Sequence, residues 1–364
     1  MIMDFLIEKF LEESYPEIQK ERCIHINKSL NSCSKCLNVC SEKAVKLTQD
    51  NVSFDEKLCN KCGVCKAACP TQAILLKGLG EENILRTIRE KENIVFYCSK
   101  SNIPGTLKIS CLNAMHPELL AALFILCKDK VFNFIISDCK NCKVNCNKEL
   151  LILSSLNKAA GFVKLMGLKP KYKMIANENE LKELPETIVS RRELFSFIGK
   201  ESSNVAIQAV DIIVSDKHDF LSIRKVLLKA LENEKDTIAQ AACDDAVLFG
   251  SFDVDGSCVG CGKCQASCPE GAWKIIEEEN KLKIYHNAGK CYSCGICEAI
   301  CPAKSISAGK VPMNDISIYS LKKEMNLSAC ISCNKEFVPR NEDEKQCSVC
   351  KKKAALREKI AAMQ

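Results

Sequence analysis

The sequence predicts an α+β multidomain chain, and three observations carry that expectation. Cysteine is heavily over-represented, 27 of 364 residues, and it falls in blocks. Two of those blocks, 23–69 and 258–301, repeat one spacing pattern, so they read as two copies of one module. Between them, short apolar runs alternate with helix-period stretches, the pattern of a parallel α/β domain. At roughly 150 residues per domain, the length accommodates two or three such units.

Taken in order, residues 1–22 place Ile2, Leu6, Ile7, Phe10 and Leu11 at intervals of three and four, which predicts an amphipathic helix. Residues 23–80 form the first cysteine module. Residues 90–177 form an α/β cysteine-rich domain, with strands expected at 94–97, 107–109, 131–136 and 172–176 and helices at 117–128 and 148–166. Residues 178–250 read as a helical connector, with helix-period apolar residues at 193–198 and 220–231. The second cysteine module spans 251–310 and a small four-cysteine module 326–353. Lysine- and alanine-rich residues from Lys352 onward read as helix.

Hydrophobic residues at 47% and charged residues at 27% exclude a disordered or fibrous chain. A disulfide scaffold is excluded on other grounds. The first residues, Met1 to Lys9, carry early acids and no basic export region, the cysteine count is odd, and most cysteines stand two or three residues from another. That spacing suits metal ligation in a reducing, cytoplasmic setting. The longest apolar stretch, 119–127, falls far short of the ~18 residues a membrane span needs. The formal charge of +6 counts every thiol as neutral, so it describes the chain before any thiol binds metal.

The strongest motif is Cys258-x2-Cys261-x2-Cys264-x3-Cys268-Pro269, followed by Cys291-x2-Cys294-x2-Cys297-x3-Cys301-Pro302. Three closely spaced thiolates wrap three corners of an iron–sulfur cube, and the fourth, carried on the helix that follows, serves the other cube. One [4Fe-4S] cluster is therefore assigned to Cys258, Cys261, Cys264 and Cys301, and a second to Cys291, Cys294, Cys297 and Cys268. Gly260, Gly262 and Gly295 lie between ligands, where positive φ is cheap for glycine. These residues resemble a bacterial two-cluster ferredoxin domain over about 55 positions, and ferredoxin-like 2[4Fe-4S] domains are the fold expected of both cysteine modules.

The N-terminal module departs from the pattern. Cys59-x2-Cys62-x2-Cys65-x3-Cys69-Pro70 is complete, whereas Cys33-x2-Cys36-x3-Cys40 has Leu30 at the first position and Ser41 in place of proline. A third cluster is assigned to Cys59, Cys62, Cys65 and Cys40. A fourth takes Cys33, Cys36 and Cys69, with Cys23 looping back to complete it. A three-iron or vacant site, with Cys23 an ordinary thiol, is the alternative.

In the α/β domain, Cys98, Cys111 and Cys139 each follow an expected strand, and Cys142 and Cys146 extend the last to Cys139-x2-Cys142-x3-Cys146. Strand C-termini share one edge of a parallel sheet, so the five converge as a candidate further metal site. Free thiols or a redox-active pair are the alternative. Ser110-Cys111-Leu112 and Asp138-Cys139-Lys140-Asn141-Cys142 resemble the iron–sulfur delta subunit of methyl-viologen-reducing hydrogenases, over roughly 75 residues. That resemblance implies electron relay to heterodisulfide-reductase-type partners, with a further iron–sulfur cluster in this domain.

Cys330-x2-Cys333-x13-Cys347-x2-Cys350 gives the two knuckles of a zinc ribbon, with a rubredoxin-like iron site as the rival. Lys351, Lys352, Lys353 and Arg357 beside it read as a solvated helix end, because no aromatic residues interleave with them, and nucleic acid is not an expected partner. His116 reads as a helix-start residue. No Walker motif, nucleophile elbow or paired acid and base is present, so no catalytic residue is assigned.

The expected function is that of a polyferredoxin, relaying single electrons through [4Fe-4S] clusters to or from a partner oxidoreductase. As a whole the chain resembles ferredoxin-type carriers of anaerobic bacteria, an electron carrier or oxidoreductase subunit more than a stand-alone enzyme. The competing expectation is a redox enzyme subunit whose middle-domain cysteines reduce a disulfide or sulfur.

Overall fold

The computed structural model describes residues 15–27, 33–76, 84–85, 88, 93–145, 150–184, 222–232, 234, 242–243, 248–312, 316–341 and 343–361. The expected helices within residues 1–14 and 193–198, Leu30, Cys146 and the side chain of Cys243 lie outside that set. Contacts divide the chain into two units, Met1–Leu248 and Phe249–Gln364.

The first unit opens with β1 (Glu17–Ile18). Here the expected helix over 1–22 is corrected: Pro16 precedes an extended pair that bonds antiparallel to β4, so no helix runs through 17–18. Next come α1 (Lys35–Asn38), the hairpin β2 (Val45–Thr48) and β3 (Asn51–Phe54), α2 (Val64–Ala68) and β4 (Ile74–Leu75). Val45 and Val52 point into the small core beneath the hairpin, and Ala73 and Ile74 close it.

The middle of this unit is a four-stranded, wholly parallel sheet of β5 (Asn93–Cys98), β6 (Leu107–Ile109), β7 (Val131–Ile135) and β8 (Tyr172–Ile175), in the order β6-β5-β7-β8. Parallel strands bury both faces, which is why Ile94-Val95-Phe96 and Phe132-Asn133-Phe134-Ile135 run without polar alternation beyond one asparagine. Phe96 stacks on Phe134 with ring centres 5.1 Å apart. Apart from Glu118 in its first turn, helix α3 (Pro117–Leu126) is apolar around its circumference because it packs between α4 (Leu151–Leu165) and α6 (Ile223–Glu232). A short helix α5 (Glu178–Lys182) precedes α6, which buries Ile223, Val226, Leu227, Ala230 and Leu231 at helical spacing.

The second unit pairs β9 (Ser251–Val254) antiparallel with β12 (Ile306–Gly309). Between them lie α7 (Lys263–Ser267), β10 (Trp273–Glu278), β11 (Lys281–His286) and α8 (Ile296–Ile300). β10 and β11 form a hairpin that β13 (Ser320–Asn326) extends to three strands. The short pair β14 (Ser328–Ala329) and β15 (Glu336–Phe337) follows, then α9 (Ser348–Ala361), which is exposed apart from the half-buried Cys350.

The two cysteine modules share one plan. A short strand, a cysteine loop with its helix, a hairpin, a second loop and helix, and a returning strand that pairs with the first occur as β1 to β4 and again as β9 to β12. Among the described residues no helix is long and apolar enough to cross a membrane.

Candidate metal centres

Each complete cysteine loop runs straight into a one-turn helix whose N-cap glycine is left-handed: Gly63 (φ 81°), Gly262 (φ 72°) and Gly295 (φ 75°). The residue before the second cysteine is also left-handed, and here Lys61 and Ser293 adopt what Gly260 adopts in the third copy. Positive φ in these loops turns backbone N–H groups inward, where anionic sulfur would sit.

A second device repeats four times and had no counterpart in the sequence reading. Three residues after each fourth cysteine the chain is left-handed, at Lys43, Gln72, Gly271 and Lys304. The next backbone N–H then donates back to the cysteine sulfur: Ala44 to Cys40 Sγ (3.3 Å), Ala73 to Cys69 Sγ (3.2 Å), Ala272 to Cys268 Sγ (3.3 Å) and Ser305 to Cys301 Sγ (3.4 Å). The degenerate copy at Cys33–Cys40 keeps this half of the geometry. Its only sequence trace is a small residue, alanine or serine, four places after the cysteine.

The thiols gather in sets. Cys65 is flanked by Cys62, Cys59, Cys36 and Cys40, while Cys36 is flanked by Cys69, Cys33 and Cys23. Cys23 is buried against Cys69 and Cys33. In the second unit Cys291 is flanked by Cys297, Cys294 and Cys268, and Cys264 by Cys258 and Cys261. Cys301 follows α8, which packs on α7. Burial pushes these thiols up, Cys36 and Cys264 to about 11, Cys291 and Cys297 to about 12, and Cys65 likewise upward. Metal-free, they hold their protons, so loading such a set must release protons.

In the middle sheet Cys98 ends β5, Cys111 follows β6, and Cys139 and Cys142 bracket a single 3-10 turn after β7. All four stand at the C-terminal edge. Cys111 lies beside Cys62, Cys98 and Cys139, and α2 packs on the turn Leu112–Ala114 that Cys111 caps. Burial pushes the Cys111 thiol to about 12 and the Cys139 thiol to about 11.

A buried network fixes this edge against the first cysteine module. His116 Nδ1 accepts from the Glu118 N–H (3.2 Å) at the start of α3, the helix-start role its position suggested. The Glu118 carboxylate accepts from Arg224 Nε (2.8 Å), Arg224 Nη2 (2.7 Å) and Gln72 Nε2 (3.0 Å). Burial pushes Glu118 up, but the guanidinium, His116 and these hydrogen bonds outweigh it and hold the carboxyl below its ordinary value. Gln72 stands three residues after Cys69, so one carboxylate ties the cysteine loop, α3 and α6 together.

Cys330, Cys333, Cys347 and Cys350 differ in kind. Among the described residues they form the one set of three or more ligating side chains whose donor atoms all lie within 4.8 Å. Cys333 Sγ and Cys347 Sγ are 3.9 Å apart. Four sulfurs at about 2.3 Å from a zinc ion would be separated by about 3.8 Å, so this set fits a single tetrahedral ion. The backbone N–H of Cys347 donates to Cys330 Sγ (3.3 Å), the first of several bonds that hold that thiol down at about 6. A cube spreads its thiolates over four irons and needs wider spacing, as the ferredoxin-type sets have. Among the described residues, the middle-sheet thiols Cys98, Cys111, Cys139 and Cys142 do not close to single-ion spacing either.

Comparison with known proteins agrees with this geometry. Residues 257–305 match the 4Fe-4S dicluster domain family, and residues 52–75 match the 4Fe-4S binding domain family. An uncharacterized ferredoxin of Methanocaldococcus jannaschii is 33% identical over 64 residues, 16% of this chain and 74% of that protein. Repeated inward-turned cysteine loops, sulfur-directed backbone N–H groups and these matches lead to one conclusion: the chain belongs to the 4Fe-4S ferredoxins.

Proposed function

We propose that this chain is a polyferredoxin that carries four [4Fe-4S] clusters and relays single electrons to or from a partner oxidoreductase. The observation that carries this reading is the fourfold return of a backbone N–H to the sulfur at Cys40, Cys69, Cys268 and Cys301. It supports Cys258, Cys261, Cys264 and Cys301 as one ligand set and Cys291, Cys294, Cys297 and Cys268 as another. In the first unit it supports Cys59, Cys62, Cys65 with Cys40, and Cys33, Cys36, Cys69 with Cys23. Such clusters, when bound, supply reversible one-electron chemistry. The protein supplies spacing, burial and hydrogen bonds to sulfur, which set the potentials.

The ribbon cysteines Cys330, Cys333, Cys347 and Cys350 are proposed to bind zinc, a structural ion with no redox role. The middle-sheet thiols Cys98, Cys111, Cys139 and Cys142, with Cys146, are proposed as a further iron–sulfur site. A second reading, disulfide or sulfur reduction at these thiols, is favoured by one observation: Cys111 lies beside Cys62, within the proposed reach of a cube.

Iron and sulfide analysis with potentiometric EPR on anaerobically purified protein tests the relay. Four cube signals are expected, and fewer would remove the set containing Cys23 first. Cys111→Ser with Cys139→Ser separates the two middle-domain readings. Loss of disulfide reduction with cluster-to-partner transfer intact would establish the enzymatic one.

A further inference from the structure

Ser305 stands four residues after Cys301, where the repeats of Cys40, Cys69 and Cys268 carry Ala44, Ala73 and Ala272. It keeps the backbone bond of the other repeats, its N–H 3.4 Å from Cys301 Sγ. It adds a second contact, because its Oγ lies 3.3 Å from the same sulfur. The fold holds the side chain there. Ser305 is 2% exposed, its carbonyl accepts from the Asp255 N–H (2.9 Å), and the next residue, Ile306, pairs with Val254 across β9 and β12. A sulfur that ligates iron carries no proton, so the hydroxyl is then the donor. Ala272, at the same place after Cys268, has only its backbone N–H to offer.

The two ligand sets of the second unit also differ in burial. Cys261 is exposed and Cys258, Cys264 and Cys301 are half-buried, whereas Cys291 and Cys297 of the other set are buried. Uptake of one electron takes a four-thiolate cube from about −2 to about −3, with no bond broken and no proton moved. A donor aimed at sulfur and access to water both stabilise the more negative state more than the less negative one. Hydroxyl and exposure therefore act in one direction, toward reduction at the set that contains Cys301. In the first unit the two effects oppose each other. Thr71 Oγ1 stands 3.7 Å from Cys69 Sγ, a longer contact, and Cys69 and Cys23 of that set are buried.

We propose that Ser305 is a positioning residue that, together with exposure at Cys261, makes the cube at Cys258, Cys261, Cys264 and Cys301 the first of the second unit's pair to accept an electron. This rests on the reading that the eight cysteines of that unit hold two cubes.

The test uses the full chain, anaerobically loaded and reduced stepwise with dithionite. Ser305→Ala should move one potentiometric EPR wave down, with iron content and the other waves unchanged. Weakening that reduction about tenfold corresponds to about 59 mV for one electron. Cys294→Ala breaks the buried set and should abolish a different wave, one that lies below the wave Ser305 moves. Should that variant load no iron at all, Cys294→Ser, with oxygen in place of one sulfur ligand, should displace the same lower wave. Exchange into D2O gives a signature that a merely structural serine would not. The reduced cluster of the upper wave should show an exchangeable proton coupling that Ser305→Ala removes. An unmoved wave, a shift shared by all waves, a Ser305 wave below the Cys294 wave, or exchangeable couplings unchanged in Ser305→Ala would overturn the proposal. Iron content and every wave unchanged in Cys294→Ala would instead overturn the ligand assignment on which it rests.

Discussion

His286 ends β11 with its ring 4.5 Å from Trp273 and 6.0 Å from Phe252, centre to centre, and neither ring nitrogen has a hydrogen-bond partner. Burial, helped by the Lys322 ammonium and opposed by Asp253, brings its pKa down to about 4. The folded state thus binds a proton less readily than the unfolded chain, whose histidine titrates near 6.5. Stability from this residue is complete above pH 6.5 and is lost as pH falls from there through about 4, at roughly 1.4 kcal/mol per pH unit. His286→Leu keeps an apolar filler and removes two unsatisfied nitrogens, a change expected to be neutral or stabilising. Thermal midpoints of loaded protein between pH 7.5 and 5.5 should fall less steeply in the variant. Parallel slopes would show that His286 titrates in the folded state near its ordinary value, with no burial penalty on its charged form. At the same scale, Ser305 Oγ lies 3.3 Å from Cys301 Sγ where the other three repeats have Ala44, Ala73 and Ala272. Ser305→Ala should therefore lower the potential of the cube that uses Cys301, measured as one EPR wave moving down.

At the level of elements, two glycines in one loop separate conformational strain from crowding. Gly260 and Gly262 are both left-handed, and both serve the loop of Cys258, Cys261 and Cys264. A Cβ at 262 meets nothing within 4 Å, whereas one at 260 would lie 2.6 Å from Leu282 Cδ2 and 2.8 Å from Val338 Cγ2. Gly262→Ala should cost only the left-handed penalty, about 1–2 kcal/mol. Gly260→Ala adds overpacking of about 1–3 kcal/mol, so iron release to a chelator should be distinctly faster in that variant. Equal rates would mean that the ribbon side chain Val338 does not buttress this loop. The tie between α3 and α6 is tested differently. Arg224→Met strands the Glu118 carboxylate, 3% exposed, at an expected cost of about 3–5 kcal/mol. Adding Glu118→Gln should restore much of it in denaturant unfolding. Elements of this kind differ in how far the sequence announces them. The sheet strands at β5 to β8 sit within a residue or two of where apolar runs placed them, because strands buried on both faces need no alternation. β1 is two residues long after Pro16 and has no periodic signature; only its mate in the repeat, β9, hints at it. The pairing of Glu118 with Arg224 spans 106 positions, and α2 meets the turn after Cys111 through tertiary packing. No local pattern encodes either contact.

Over the whole molecule, cysteine spacing pointed to the thiol sets that the fold gathers, while the formal charge leaves bound metal out of account. The formal +6 assigns no charge to any thiol. Burial reinforces that in the metal-free chain, since Cys36, Cys111, Cys139, Cys264, Cys291 and Cys297 are all pushed to about 11 or 12. Loading reverses it. Four oxidised cubes with four thiolates each contribute about −2 apiece, and a four-thiolate zinc site contributes about −2 more. With the proposed four cubes and zinc site filled, the chain would stand near −4, its lysines offsetting cluster charge. Reduction makes it more negative still, so association with a partner should be steered by basic surface on that partner and weaken with salt. The inversion is measurable without knowing the partner. At pH 7 under anaerobic, thiol-protecting conditions, loaded protein should bind an anion exchanger, and the same protein stripped of iron and zinc should flow through it and bind a cation exchanger. Retention of the loaded chain on the cation exchanger would mean that fewer thiolates are committed to metal than the four cubes and the ribbon require.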